Sequence, residues 1–158
     1  MSSAIRSAQV VGFTTALFLS GVHFTSSQLI LPSLYKLPPS ISTPIFSDLY
    51  HKGISVVAPL IVISATANAY VAYQVPELRS LHVVAAVTVF APLPWTQIIM
   101  MKGIQILNAI AESAVEQEKA DKTVVEGLLR SWTWQNFVRA TLAFSSAMTG
   151  LYATFLRF

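Results

Sequence analysis

Between Arg79 and Lys102 the chain runs through 22 residues without Asp, Glu, Lys or Arg. A helix rises about 1.5 Å per residue and the hydrocarbon core of a bilayer is about 30 Å thick, so roughly 20 such residues make one crossing. Three other stretches are nearly as poor in charge. The four predicted spans cover residues 7–31, 53–75, 80–101 and 134–156. The sequence therefore predicts a multi-pass integral membrane protein.

The overall composition agrees with four spans. At 54% hydrophobic and 11% charged residues, a chain of 158 residues has too little polar surface to cover four apolar helices in water. We interpret residues 1–158 as a single transmembrane domain. The first stretch exceeds the roughly 7–15 apolar residues of a signal peptide and leads into further spans, so we predict a retained helix.

The spans are joined by two predicted long loops, at residues 32–52 and 102–133. The first contains four prolines, with a firm helix break at Pro38-Pro39. Apolar residues recur at helical spacing early in the second, which predicts that the third helix continues beyond the membrane. Lys and Arg are more frequent on the side of these loops, so we expect that side to be cytoplasmic. The predicted fold is an all-α, up-down-up-down four-helix bundle.

Several classes of function are excluded by what the chain lacks. It has no cysteine, and its net charge of +3 is not gathered into a basic face, so we expect neither thiol chemistry nor a nucleic-acid partner. The predicted spans contain no Asp or Glu, and the three histidines are divided between two leaflets, which argues against a metal site. No glycine-rich phosphate loop is present, and we expect no bound cofactor.

Three residues at the start of the fourth span form a polar face. Trp132, Asn136 and Arg139 have the spacing i, i+4 and i+7, which places them on one side of a helix. Polar side chains in a membrane are costly and usually face the bundle interior. The alternative is that Arg139 reaches the headgroups beside an interfacial Trp. Asn136 needs a partner at its depth, which favours a pocket.

Up-down topology places other polar residues in the same leaflet as this face. His82 is predicted to lie at the opposite side without polar neighbours, and Asn68 to link two helices by a hydrogen bond. Pro92 and Pro94 are expected to kink the third helix and can open a cavity there. The residues predicted to share one leaflet are His23, Gln28, His51, Trp95, Thr96, Gln97, Asn136 and Arg139.

Three motifs resemble a known family. The segment PWTQIIMMKGIQIL, which ends the third span, resembles the Pro-aromatic-Thr, Met-Met and Leu pattern of the small four-span anthrone oxygenase-like proteins. The pattern Trp132-x-x-x-Asn136-x-x-Arg139 resembles the Trp, Asn and Arg signature on that family's last helix. Leu49-Tyr50-x-x-Gly53 at the start of the second span also fits.

The resemblance implies oxidation of an anthrone to an anthraquinone by O2 in aromatic polyketide biosynthesis, a branch of secondary metabolism, without flavin, haem or metal. It implies oxyanion stabilisation by Arg139 and Asn136. His51 or His23 is the candidate base, although His23 could serve packing alone and His51 could be merely interfacial. The candidates for substrate binding are Trp95, Thr96, Trp132 and Tyr50.

The sequence is also compatible with other functions. Ile104 stands where the family usually has Asn, which is compatible with a divergent cyclase or isomerase. A non-catalytic tetraspan scaffold is a second alternative, and a channel or transporter is a weaker third. The expected partners are the lipid bilayer, a hydrophobic aromatic substrate and O2, and a homo-oligomer is compatible with so small a bundle. Endoplasmic reticulum is the expected location in a eukaryote.

Overall fold

The computed structural model describes residues 2–156, which are almost entirely helical and contain no strand. The predicted all-α class is therefore confirmed. Four helices are long, and one short helix lies between the third and the last. Their bounds are α1 Ser3–Leu34, α2 Pro39–Gln74, α3 Pro76–Ala111, α4 Ala114–Lys119 and α5 Lys122–Phe155.

Helices α1, α2 and α3 are each long enough and apolar enough to cross a membrane. Large apolar side chains cover their outer surface, as a bilayer requires. Helix α5 is of similar length but is less apolar, since polar residues such as Gln135, Asn136 and Arg139 interrupt it. Three candidate spans are thus established, whereas the fourth and the up-down topology stay predictions.

The four long helices pack in a closed ring. Helix α1 contacts α2 and α5, and α3 contacts the same two helices from the other side. Small residues such as Ala16, Ala143 and Ala147 lie in the central core cluster and allow the backbones to approach closely. The ring therefore encloses a shared interior that all four helices line.

The connection between α1 and α2 is much shorter than predicted. Helix α1 ends at Leu34 and α2 begins at Pro39, so the predicted loop over 32–52 is wrong for residues 32–34 and 39–52, which are helical. The break at Pro38-Pro39 is as expected. Proline suits the first turn of a helix because the amide hydrogen that it lacks has no partner there. The prolines therefore begin α2 rather than extend the loop.

The predicted second loop, 102–133, is also mostly helical. Helix α3 continues to Ala111, which confirms its predicted extension. The last helix begins at Lys122, where Asp121 accepts a hydrogen bond from the Thr123 amide at 2.7 Å and caps the first turn. Only two short breaks, flanking α4, are left of the predicted loop.

Irregular turns occur in α1 and α3 at the same end of the bundle. A π-helical turn covers Ser26–Ile30, and a second covers Thr96–Met100 just after a break at Ala91. Helix α2 packs on Arg79–Phe90 and again on Met101–Ala111, but scarcely touches the part of α3 between them. The irregular part of α3 thus leaves a gap beside α2.

Candidate active site

An internal cavity of about 320 Å³ lies between α1, α2, α3 and α5. This volume is near the lower end of the roughly 300–1,000 Å³ found for small-molecule sites. Most of its wall is apolar, and polar groups contribute a minority of the surface. The polar and aromatic residues on the wall are His23, Ser26, Tyr50, Thr96, Gln97, Trp132, Asn136 and Arg139.

Helix α5 contributes Trp132, Asn136 and Arg139 to this wall, and all three are buried. The helical repeat places them on one face, as their spacing predicted. Asn136 is 1% exposed and Arg139 is 9% exposed, so Arg139 does not reach outward to headgroups.

Asn136 joins α5 to α1. Its Nδ2 atom donates to the backbone oxygen of His23 and to Oγ of Ser27, both at 2.9 Å, and the Ser27 hydroxyl donates to the same His23 oxygen at 2.8 Å. These bonds hold the backbone of His23, which is buried one turn before the π-helical turn in α1. Its imidazole is left to face the cavity.

Within the described residues 2–156, the polar contact that Arg139 makes is weak. Its Nη1 atom lies 4.0 Å from Sδ of Met100, and the Thr96 hydroxyl donates to the Pro92 oxygen at 2.7 Å and lies 3.9 Å from the same sulfur. The predicted spans contain no carboxylate that could neutralise the guanidinium. A buried cation without a counter-ion is costly and is suited to binding an anion.

Four cavity-lining residues have a buried polar atom with no hydrogen-bond partner among residues 2–156. These atoms are His23 Nε2, Asn136 Oδ1, Arg139 Nε and Trp132 Nε1. Buried polar groups are almost always paired in folded proteins, and unpaired ones call for an explanation. Four such atoms belong to residues around one cavity, which marks that cavity as the candidate site.

Aromatic rings form one side of the cavity. Phe46 packs edge to face on Trp132 with ring centroids 5.5 Å apart, and it stacks on Tyr50 at 6.4 Å. Trp132 and Tyr50 also line the cavity, while Phe46 supports them from the core. This arrangement suits a flat aromatic ligand.

Two predicted site residues do not reach the cavity. His51 is exposed, and its Nδ1 donates to the Ser47 oxygen at 2.8 Å. Trp95 packs against a core cluster instead of lining the cavity. His51 follows the lining residue Tyr50, and Trp95 precedes the lining residue Thr96. Successive side chains of a helix point about 100° apart, so these neighbours face different directions. The structure thus places His51 and Trp95 away from the cavity wall, and a role of either residue in the site stays a prediction.

His82 lies in a separate polar cluster at the other end of the bundle. Gln9 Nε2 donates to His82 Nε2 at 3.4 Å, and His82 Nδ1 donates to Asn68 Oδ1 at 2.9 Å. The predicted role of Asn68 as a link between helices is confirmed, but the prediction that His82 lacks polar neighbours is wrong. Within residues 2–156, no three His, Asp or Glu side chains lie close enough together to hold a metal ion.

Helix α2 contributes wall residues that the sequence interpretation missed, since they fell at or beside the predicted loop. Gly53 leaves open space at the wall, because a Cβ atom added there would meet no atom within 4 Å. Gly53 and Val57 follow the predicted site residue Tyr50 at i+3 and i+7, and this helical repeat was the available signal.

Ile104, which departs from the resembled family's pattern, is 1% exposed and packs in the core cluster that contains Trp132. It does not line the cavity. The departure therefore affects the packing beneath the cavity and not its wall.

The cavity opens sideways between α2 and α3. Two of its lining residues, Ile54 and Gln97, are also exposed on the outer surface of the bundle. They lie where α2 separates from the irregular part of α3. We call this opening, framed by Ile54 and Gln97, the lateral mouth.

Comparison with known proteins points to one family. The sequence model of a family described as anthrone oxygenase matches residues 46–149. A protein of Dothistroma septosporum named monooxygenase hypC is 30% identical over 156 residues, covering 92% of this chain and 82% of that protein. No solved structure matches the chain significantly. The family match contains the cavity residues of α2, α3 and α5.

Proposed function

Because the chain belongs to the anthrone oxygenase family, we propose that it is a membrane monooxygenase that oxidises an anthrone-type aromatic polyketide to the anthraquinone with molecular oxygen. The observation that carries this proposal is the largely apolar cavity in which His23 Nε2, Asn136 Oδ1 and Arg139 Nε lack partners. We propose that no flavin, haem or metal takes part, since the anthrone supplies the electrons itself.

We further propose that α5 crosses the bilayer with α1, α2 and α3 in up-down-up-down order. It packs along both α1 and α3 and turns its polar face to the cavity. Phe144, Tyr152 and Phe155 are exposed on its other side, where lipid would cover them. This topology places the cavity within the bilayer, where an apolar substrate is concentrated.

The first step is removal of a proton from the anthrone methylene. His23 is the base that the geometry favours, because its buried Nε2 is unpaired while His51 is exposed and bonded to its own helix. Loss of this proton converts the ketone into an enolate. Arg139, a buried cation in the same wall, stabilises the negative oxygen.

The second step transfers electrons to oxygen. The enolate carbon gives one electron to O2, which yields a carbon radical and superoxide. These two species combine into a carbon-bound peroxide. The peroxide then takes a proton from the imidazolium of His23. His23 then removes the second methylene proton, the O–O bond breaks, and a carbonyl forms while hydroxide leaves and becomes water. One oxygen atom enters the product and the other leaves as water. The protein supplies position, a base and a cation.

Oxygen uptake by the purified protein in detergent tests this function. With a hydroxylated anthrone, wild type should consume one O2 per anthraquinone well above the spontaneous rate. Arg139→Ala should lose at least about 100-fold while staying folded, since one oxyanion donor contributes about 10²–10³ in rate. Full activity in Arg139→Ala would contradict the assignment. Conversion of the anthrone without consumption of O2 would indicate a cyclase or isomerase. Absence of any conversion would favour a non-catalytic scaffold.

A further inference from the structure

Gln97 is an amide in an unusual position. It lies within a stretch free of charged residues, it is exposed on the outside of the bundle, and it also lines the cavity. Its neighbour Thr96 bonds to the Pro92 oxygen of its own helix and so has its hydroxyl satisfied. A primary amide facing lipid loses hydrogen bonds to water and is costly without a partner.

The irregularity of α3 places this amide at the lateral mouth. Pro92 and the π-helical turn Thr96–Met100 interrupt the regular helix, and α2 scarcely contacts α3 over that stretch. Pro cannot donate a backbone hydrogen bond, and π-helical turns often occur at functional sites. On the facing helix, Gly53 leaves further space, because a Cβ atom there would meet nothing within 4 Å.

The mouth and the candidate base lie on opposite sides of the cavity. His23 is on α1 and Gln97 is on α3, and these two helices are not neighbours in the ring. A flat molecule held at its outer edge by Gln97 would therefore extend inward, toward His23 and Arg139.

We propose that Gln97 determines substrate specificity by hydrogen-bonding a ring hydroxyl of a hydroxylated polycyclic aromatic that enters from the bilayer between α2 and α3. This inference rests on the proposed function and adds the feature of the substrate that is recognised. An amide both donates and accepts, which matches a phenolic hydroxyl in either role. Tyr50 and Trp132 contact the ring faces, so the amide supplies recognition that the apolar wall lacks.

The test compares two ligands on the detergent-solubilised full chain, 1,8-dihydroxyanthraquinone and unsubstituted anthraquinone, with binding followed by quenching of tryptophan fluorescence. Gln97→Leu should raise the Kd of the dihydroxy compound by about 3- to 10-fold, as expected for one hydrogen bond. It should leave the Kd of anthraquinone unchanged. Gln97→Met should give the same pattern and serves if Gln97→Leu aggregates.

Gln105→Leu is the matched control, since Gln105 is an exposed amide on the same helix that does not line the cavity. It should change neither Kd. If Gln97→Leu changed the Kd of both ligands equally, or changed neither Kd, the proposed role of Gln97 would be overturned. Wild type that binds neither ligand would overturn it together with the proposed function. Gln97-dependent binding without oxygen uptake would refute the oxygenase reaction but retain the recognition.

Discussion

Asn136 donates a hydrogen bond at 2.9 Å to the backbone oxygen of His23, across 113 residues of sequence and between two helices. The bond fixes the position of His23 without using its imidazole, whose Nε2 stays unpaired. His23 is thus positioned through its backbone oxygen and not through Nε2 of its ring. This relationship makes Asn136 a positioning residue for the candidate base.

Replacement of Asn136 by Leu should therefore affect stability and turnover together. We expect the free energy of unfolding to fall by about 1–3 kcal/mol, because the His23 oxygen and the Ser27 hydroxyl lose a buried donor. Turnover should fall on the order of 100-fold through misplacement of the base. Thermal unfolding and anthrone oxidation measure the two effects. Asn108→Leu, outside the cavity wall, is the control, and an unchanged rate in Asn136→Leu would refute the positioning role.

Substitutions of the two candidate histidines, His23 and His51, should have clearly different effects on kcat. His23→Gln should lower kcat by about 10²–10⁴-fold, the usual contribution of a general base, whereas His51→Gln should leave kcat within twofold. The reason is that His51 is exposed and bonded to Ser47 on its own helix. Steady-state anthraquinone formation is the measurement. Loss of activity in His51→Gln with retention in His23→Gln would reverse the assignment of the base.

Gly53 should control the size of ligand that the cavity accepts. Gly53→Leu should fold normally, because nothing lies within 4 Å of the added Cβ, but the new side chain occupies the cavity. We expect the Kd of a three-ring anthraquinone to rise at least about 5-fold, as overfilling a packed site costs about 1–3 kcal/mol. A one-ring phenol should bind as before. Gly127→Leu, at another open glycine, is the matched control, and unchanged three-ring binding would contradict the cavity assignment.

Gly12 should be essential for packing at the other end of the bundle. A Cβ at Gly12 would lie 2.8 Å from Nδ2 of Asn68, which cannot move freely because it donates to the Ser64 oxygen while its Oδ1 accepts from His82. Gly12→Ala should destabilise the fold by about 1–3 kcal/mol. Thermal unfolding measures this, and kcat at low temperature should be preserved.

Gly127→Ala is the control for the Gly12 substitution. It should stabilise α5 by up to about 1 kcal/mol, because alanine favours helix and this position is open. Equal stability changes in the two variants would show that the close approach of Gly12 to Asn68 is unimportant.

Periodicity predicted the features that depend on one helix at a time. The absence of charge over residues 80–101 predicted a long apolar helix, and the spacing of Trp132, Asn136 and Arg139 predicted a shared face. Both follow from the rise and repeat of the α-helix, which are the same in every sequence. The start of α2 was mispredicted because proline breaks a helix in its interior but begins one at its first turn.

Composition and spacing alone were sufficient for the helical membrane class and for the polar face of α5. Tertiary packing decided that His23 lines the cavity and His51 does not. It also decided that Trp95 packs against a core cluster and that Gln9 and Asn68 contact His82. These outcomes depend on the rotation of one helix against another, and a shift of one residue turns a side chain by about 100°. A local pattern cannot specify that rotation, because it is set by the close packing of side chains from helices distant in sequence.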